Sequence, residues 1–127
     1  MIKQKFGKHI VSAFLLLVFL IIAIGSSDSK KPPDPNAWKS EDNRIAAYIM
    51  MERFVEQRLK CPGTAKFPGV WDGMQNHVTP IGNQTYKIVS YVDSQNLFGA
   101  YLRTNFVGEI QQMSVDNWRL ISLNLLN

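Results

Sequence analysis

The sequence predicts an α+β domain in which one helix packs on a three- to four-stranded antiparallel sheet. Three observations carry this. Residues 40–60 place their apolar side chains with helical period; the segments after residue 75 alternate with period two or read as β-rich runs; and the connections are too short for parallel crossovers.

In chain order, the first feature is the uncharged run IVSAFLLLVFLIIAI at residues 10–24. Lys3, Lys5, Lys8 and His9 precede it, and Gly25-Ser26-Ser27-Asp28 follows. The run is membrane-directed. With the lysines retained in the cytoplasm, everything after Ser26 is expected outside it. Residues 1–25 are expected to be an uncleaved N-terminal membrane anchor, because a helix over residues 6–25 is about 30 Å long and able to span. The alternative is a signal peptide cleaved near Gly25, since Ala23 and Gly25 occupy the small-residue positions that a signal peptidase reads. Localisation is then the cell membrane, single-pass with the C-terminal domain outside the cytoplasm, or secretion after cleavage. Residues 26–39 are Pro- and Ser-rich and form a spacer, leaving residues 40–127 as a single α+β domain.

Ser40 is the expected N-cap of the helix, with Glu41 and Asp42 in its first turn, where carboxylates meet the positive end of the dipole. A wheel gathers Ala47, Tyr48, Met51, Phe54, Val55 and Leu59 on one face. Ile45 and Ile49 fall toward the polar side. Pro62-Gly63 is expected to end the element. The strands are expected at residues 75–81, closed by a Gly82-Asn83 turn, then at 84–93, at 98–110 with interruptions at Gly99 and Gly108, and at 118–126. In residues 84–93, Tyr86, Ile88, Ser90 and Val92 are set against Lys87, Val89, Tyr91 and Asp93.

Two stretches, RLKCPGTAKFP at residues 58–68 and SYVDSQNLFGAYLRTNF at 90–106, resemble those of small envelope proteins of bacteria, chiefly Gram-positive, and of their phages. Together they cover under a quarter of the chain. The resemblance implies a membrane segment and a spacer ahead of the domain, and it implies no chemistry. Where such proteins are expected to carry a Ser-Pro-Ser-like stretch this chain has Cys61-Pro62-Gly63, which argues against a functional role for the thiol. The element order also resembles a cystatin-like or similar roll, a likeness of shape alone.

Charge narrows the functional classes. The formal net charge is +4 and the pI about 9.3, but three of the fourteen basic residues precede the apolar run. That leaves eleven against all ten acidic residues, so the domain is nearly neutral and has no Lys/Arg block of the kind nucleic acid requires. No nucleic-acid partner is expected. A single cysteine, Cys61, excludes an internal disulfide and a Cys-rich metal site. His77, the domain's one histidine, is expected in a surface loop with no motif to place it beside a nucleophile. No catalytic residue, cofactor or metal is assigned.

One dense polar constellation remains: Asp93, Gln95 and Asn96, followed by Arg103 and Asn105. These are the candidate binding residues. Their architectural reading is a hairpin turn in which Asp93 accepts N–H bonds from Gln95 or Asn96, Asn96 tolerates positive φ, and Gly99 relieves the bend. The function expected is a non-catalytic extracytoplasmic recognition or interaction module of the cell envelope, its partner an envelope protein or wall polymer. The alternative is a small envelope enzyme or enzyme inhibitor, possibly phage-derived.

Overall fold

A computed structural model describes residues 31–126. Among these, no helix is long and apolar enough to cross a membrane. The run at residues 10–24, and with it the anchor and signal-peptide readings, lies outside the described residues. A compact unit begins at Pro35 and contains every regular element described. It opens with a 3-10 turn at Ala37–Lys39, inside the stretch read as spacer, which is tied into the fold where Asn43 Nδ2 donates to Trp38 O and Gln84 Nε2 donates to Lys39 O.

Helix α1 spans Arg44–Glu56, shorter at both ends than the periodicity implied. Ser40 is not its N-cap. Both the backbone N–H and the hydroxyl of Ser40 donate to Ala37 O, closing the preceding turn, so the chain bends again before Asn43 starts the helix. Asp42 consequently stands ahead of the first turn, where its carboxylate accepts the Arg44 N–H and the Arg44 guanidinium. At the other end, Arg58 and Leu59 donate to Val55 O and Glu56 O, i→i−3 bonds that tighten the last turn and stop the helix well before Pro62. Leu59 still packs on the core from outside the helix. The predicted stripe is the buried one: Ala47, Tyr48, Met51 and Val55 are fully buried, whereas Ile45 and Ile49 are each 41% exposed.

Four antiparallel strands follow in sequential order, β1 (Val78–Gly82), β2 (Thr85–Gln95), β3 (Tyr101–Gln112) and β4 (Trp118–Leu126). The meander and its single helix are the α+β architecture expected. β1 and β2 join through Asn83 and Gln84, at φ 51° and 54°, with Gly82 at φ 91° before them. Positive φ at both central residues gives the hairpin a twist that matches its strands. The turn therefore centres one residue later than Gly82-Asn83. Gln84 holds its unfavourable conformation through the bond to Lys39 O and by accepting the Gln112 N–H.

The register puts Tyr86, Ile88, Ser90 and Val92 of β2 opposite Ile110, Gly108, Phe106 and Thr104 of β3, and Phe106 and Gly108 opposite Leu125 and Leu123 of β4. Helix α1 lies against this inner face, which supplies most of the core. Phe67 adds an edge-on ring contact to Phe106, 6.3 Å between centroids. The two edges are finished differently. β1 is five residues long and carries Pro80, which has no N–H to offer a further strand. Along β4 the Arg58 guanidinium donates to Leu123 O.

Glu52, half-buried on α1, is among the described residues the one carboxylate pushed up, to about 7, by burial and then by the charge of Glu56. Its proton is held more tightly in the folded chain, so this group's contribution to stability is fully present below about pH 4.5 and is lost as pH rises through about 7. Glu52→Gln is expected to raise stability at pH 8 by about 1 kcal/mol, allowing for partial solvation, and to leave it unchanged at pH 4. Thermal melts at the two pH values check this; equal shifts at both would refute it.

Candidate functional site

The five residues singled out by the sequence converge at the β2–β3 hairpin. Asp93 and Gln95 of β2, and Arg103 and Asn105 of β3, sit at alternate positions and hence on the same, outer face of the sheet. Asp93 lies directly opposite Arg103, and Gln95 opposite Tyr101. Lys87, Val89, Tyr101, Arg103 and Asn105 are all exposed there. Asn96 begins the connection.

Asn96, and not Asp93, holds the turn. Its Oδ1 accepts the N–H groups of Phe98 (2.9 Å) and Ala100 (3.0 Å), while its own N–H donates to Ala100 O. Gly99, at φ 82°, supplies the left-handed residue that closes the loop, and Asn96 itself does not adopt positive φ. Asp93 is two residues too early for that role because β2 runs on to Gln95. Its backbone is used instead, exchanging N–H···O bonds of 3.0 and 2.8 Å with Lys66, and its carboxylate reaches across to β3.

There Arg103 donates from Nε to Asp93 Oδ1 (2.8 Å) and from Nη2 to Oδ2 (2.9 Å), a bidentate pair. The guanidinium also stacks 3.8 Å from the centre of the Tyr91 ring, and the Lys66 ammonium lies 4.4 Å from that of Tyr101. Hydrogen bonding from Arg103 holds the Asp93 carboxyl below its ordinary range. The result is a strip of alternating aromatic and charged groups on paired strands. Water screens so exposed an ion pair and leaves it little net stability. Asn96→Ala, which removes two turn bonds, is expected to cost about 1 kcal/mol, and Asp93→Ala less. A melt in which Asp93→Ala is the worse of the two would return the turn to Asp93.

Lys66, Tyr91 and Tyr101 were not among the residues the sequence suggested. Period-two alternation already set Tyr91 beside Asp93, but nothing local brings Lys66 to a strand 27 positions later. The contact joins the two stretches that carried the family resemblance. Thr64 Oγ1 accepts the Gln95 N–H, and the Cys61 thiol points to Asn96 O at 3.8 Å, so residues 61–66 line the end of β2. His77 is not in an open loop. It ends a 3-10 turn, its Nδ1 lies 3.0 Å from Val89 O, and its ring is 6.2 Å from those of Tyr48 and Tyr91. The described residues contain no cluster of three His, Cys, Asp or Glu side chains able to hold a metal.

Further depressions flank the strip. A shallow one on the outer face runs over Val89, Val107 and Leu126. A cleft of about 230 Å³ opens on the inner side of the hairpin, lined by Arg58, Lys60, Ser94, Leu102, Thr104 and Leu125 among others. Compared with protein-family models, curated proteins and solved structures, the chain matches none.

Proposed function

We propose that this chain is a non-catalytic extracytoplasmic interaction module of the cell envelope, a cystatin-like or similar roll that presents its β2–β3 hairpin to an envelope protein. The observation that carries the reading is the exposed hairpin itself. Leu97 and Phe98 are 75% and 95% exposed at its tip, and the Tyr91–Arg103–Asp93 strip continues from them along the open sheet face. Exposed apolar side chains rimmed by polar ones are characteristic of protein-binding surfaces, and aromatic and arginine anchors supply most of the affinity where they occur. The backbone beneath is fixed by full antiparallel pairing, so little ordering entropy is lost on binding.

Residues 10–24 would deliver the module to the membrane, by anchor or by cleaved signal. A fluorescent reporter active only in the cytoplasm, fused after Asn127, is expected to stay dark in cells, and bright cells would overturn the compartment. A photo-crosslinking amino acid at Phe98 should give a discrete adduct in intact cells. The same probe at Val115, in the turn at the opposite end of β3, should not. Loss of the Phe98 adduct with Arg103→Glu ties it to the strip. Equal labelling from both positions, or none from Phe98, would reject the hairpin as the contact.

A further inference from the structure

The cleft on the inner side of the hairpin exists because the sheet outruns its helix. α1 stops at Glu56, while β2 continues to Gln95 and β3 begins only at Tyr101. The last inner-face positions, Ser94 opposite Leu102 with Thr104 beside them, are therefore roofed by the 58–60 segment and not by a helix. Two of these residues are available to a ligand. Leu102 stands on the inner face, yet it is 57% exposed. Ser94 is only 8% exposed and its hydroxyl has no hydrogen-bond partner among the described residues, whereas the other buried serine of β2, Ser90, is bonded to Tyr48. The hydroxyl is not sealed in the interior, since the buried side-chain polar atoms without a partner among the described residues are Gln75 Oε1 and Gln112 Oε1; it opens on the cleft, free to bond a group that enters.

The charge at the cleft is of one sign. Arg58 and Lys60 line it, no Asp or Glu does, and neither cation forms a salt bridge among the described residues. Arg58 is held in place by its bond to Leu123 O. Beside the cations lie Leu102 and Leu125. At about 230 Å³ the space falls below the roughly 300–1,000 Å³ of pockets that enclose a whole drug-sized ligand, so it suits the end of a chain.

From these features we infer that the cleft binds the C-terminal residue of a peptide that ends in an aliphatic side chain. The α-carboxylate would meet Arg58 and Lys60, the side chain would cover Leu102 and Leu125, and Ser94 and Thr104 would bond the last peptide group. An anion and an aliphatic group two bonds apart, followed by an amide, match the order of cationic, apolar and hydroxyl groups here. A fatty acid would leave the hydroxyls unused. This site goes beyond the outer-face reading, because it lies on the other side of the same hairpin and needs none of the Tyr91–Arg103 strip.

The test uses the purified full-length chain in detergent micelles and a fluorescein-labelled Gly-Ser-Ala-Leu peptide with a free carboxyl terminus, read by fluorescence anisotropy against micelles alone. Saturable binding is expected, at least tenfold weaker for the C-terminal amide, as befits loss of a charge-assisted contact. Lys60→Gln, a change at an exposed side chain, should weaken the acid peptide several-fold and leave the amide unchanged, and Ser94→Ala should weaken both. Far-UV circular dichroism confirms that each variant is folded. Should Ser94→Ala fail to fold, Lys60→Gln alone decides. No binding at millimolar peptide, equal binding of acid and amide, or indifference to Lys60→Gln would overturn the assignment. Hexanoate competing as well as the peptide would show a site for small aliphatic acids instead. Because binding is measured on purified protein, its failure leaves the crosslinking and topology results unaffected.

Discussion

Gly108→Val is expected to lower stability by about 3 kcal/mol or more and to prevent folding in any already weakened background. The residue sits mid-strand on the inner face of β3, between Ile88 and Leu123. Its backbone is ordinary extended chain, so the requirement for glycine is one of space. A Cβ there would lie 2.6 Å from Met51 Cε, 2.9 Å from Met51 Sδ and 3.1 Å from the backbone oxygen of Ser122. The Met51 end would have to leave the position it fills, and the Ser122 carbonyl of β4 would have to give by a few tenths of an ångström. Met51 is fully buried, and Met51→Ala alone should cost about 2–5 kcal/mol through the cavity it leaves. Combined, the two changes should be far less damaging than their sum, since valine methyls enter the space the methionine vacates. Urea unfolding of the two single variants and the double variant measures the coupling. Strict additivity would mean that Met51 does not pack on Gly108.

This contact marks where the sequence stops being legible. In residues 98–110 the two glycines look alike, as interruptions of one strand. They are in fact unrelated: Gly99 lies before the strand, in a turn that needs positive φ, while Gly108 is inside it and lets a helix side chain approach. The first is a local backbone requirement, and such requirements leave local signatures. The second depends on a side chain 57 positions earlier and leaves none. The same division runs through the rest of the chain. Alternation in β2 and the apolar stripe on α1 are periodic properties of short segments, and they survive in the fold, with Leu59 of the stripe packing from beyond the helix end. Ser40 misled because a serine cap looks the same in sequence whether it closes a 3-10 turn or opens a helix. At the hairpin, the candidate residues could be grouped from their clustering along the chain. The exchange of roles between Asp93 and Asn96 depended on where β2 ends, and strand ends are set by pairing partners that a single segment does not display.

Tyr48→Phe is expected to destabilise the chain by about 1–3 kcal/mol, although it removes one oxygen atom. Tyr48 is fully buried on α1, and its hydroxyl lies 2.7 Å from Ser90 Oγ on the inner face of β2, with either group able to donate. Burial pushes the phenol up to about 12 against the opposing effect of the Ser90 bond, so Tyr48 stays protonated across the physiological range. Truncating either partner leaves the other hydroxyl desolvated with nothing to bond. Ser90→Ala should therefore cost a similar amount. Replacing both removes the stranded polar atom, and the Tyr48→Phe/Ser90→Ala double variant is expected to recover more than about 1 kcal/mol relative to the sum of the singles. Single-variant losses that simply add would show that the two hydroxyls do not depend on each other. Among the described residues the pair is also the only side-chain hydrogen bond between α1 and the sheet, so it fixes where along β2 the helix sits. An apolar replacement keeps the burial and loses that restraint. The double variant should accordingly melt near the parent temperature while its β2 amides exchange with solvent faster, and unchanged exchange would assign the helix position to packing alone.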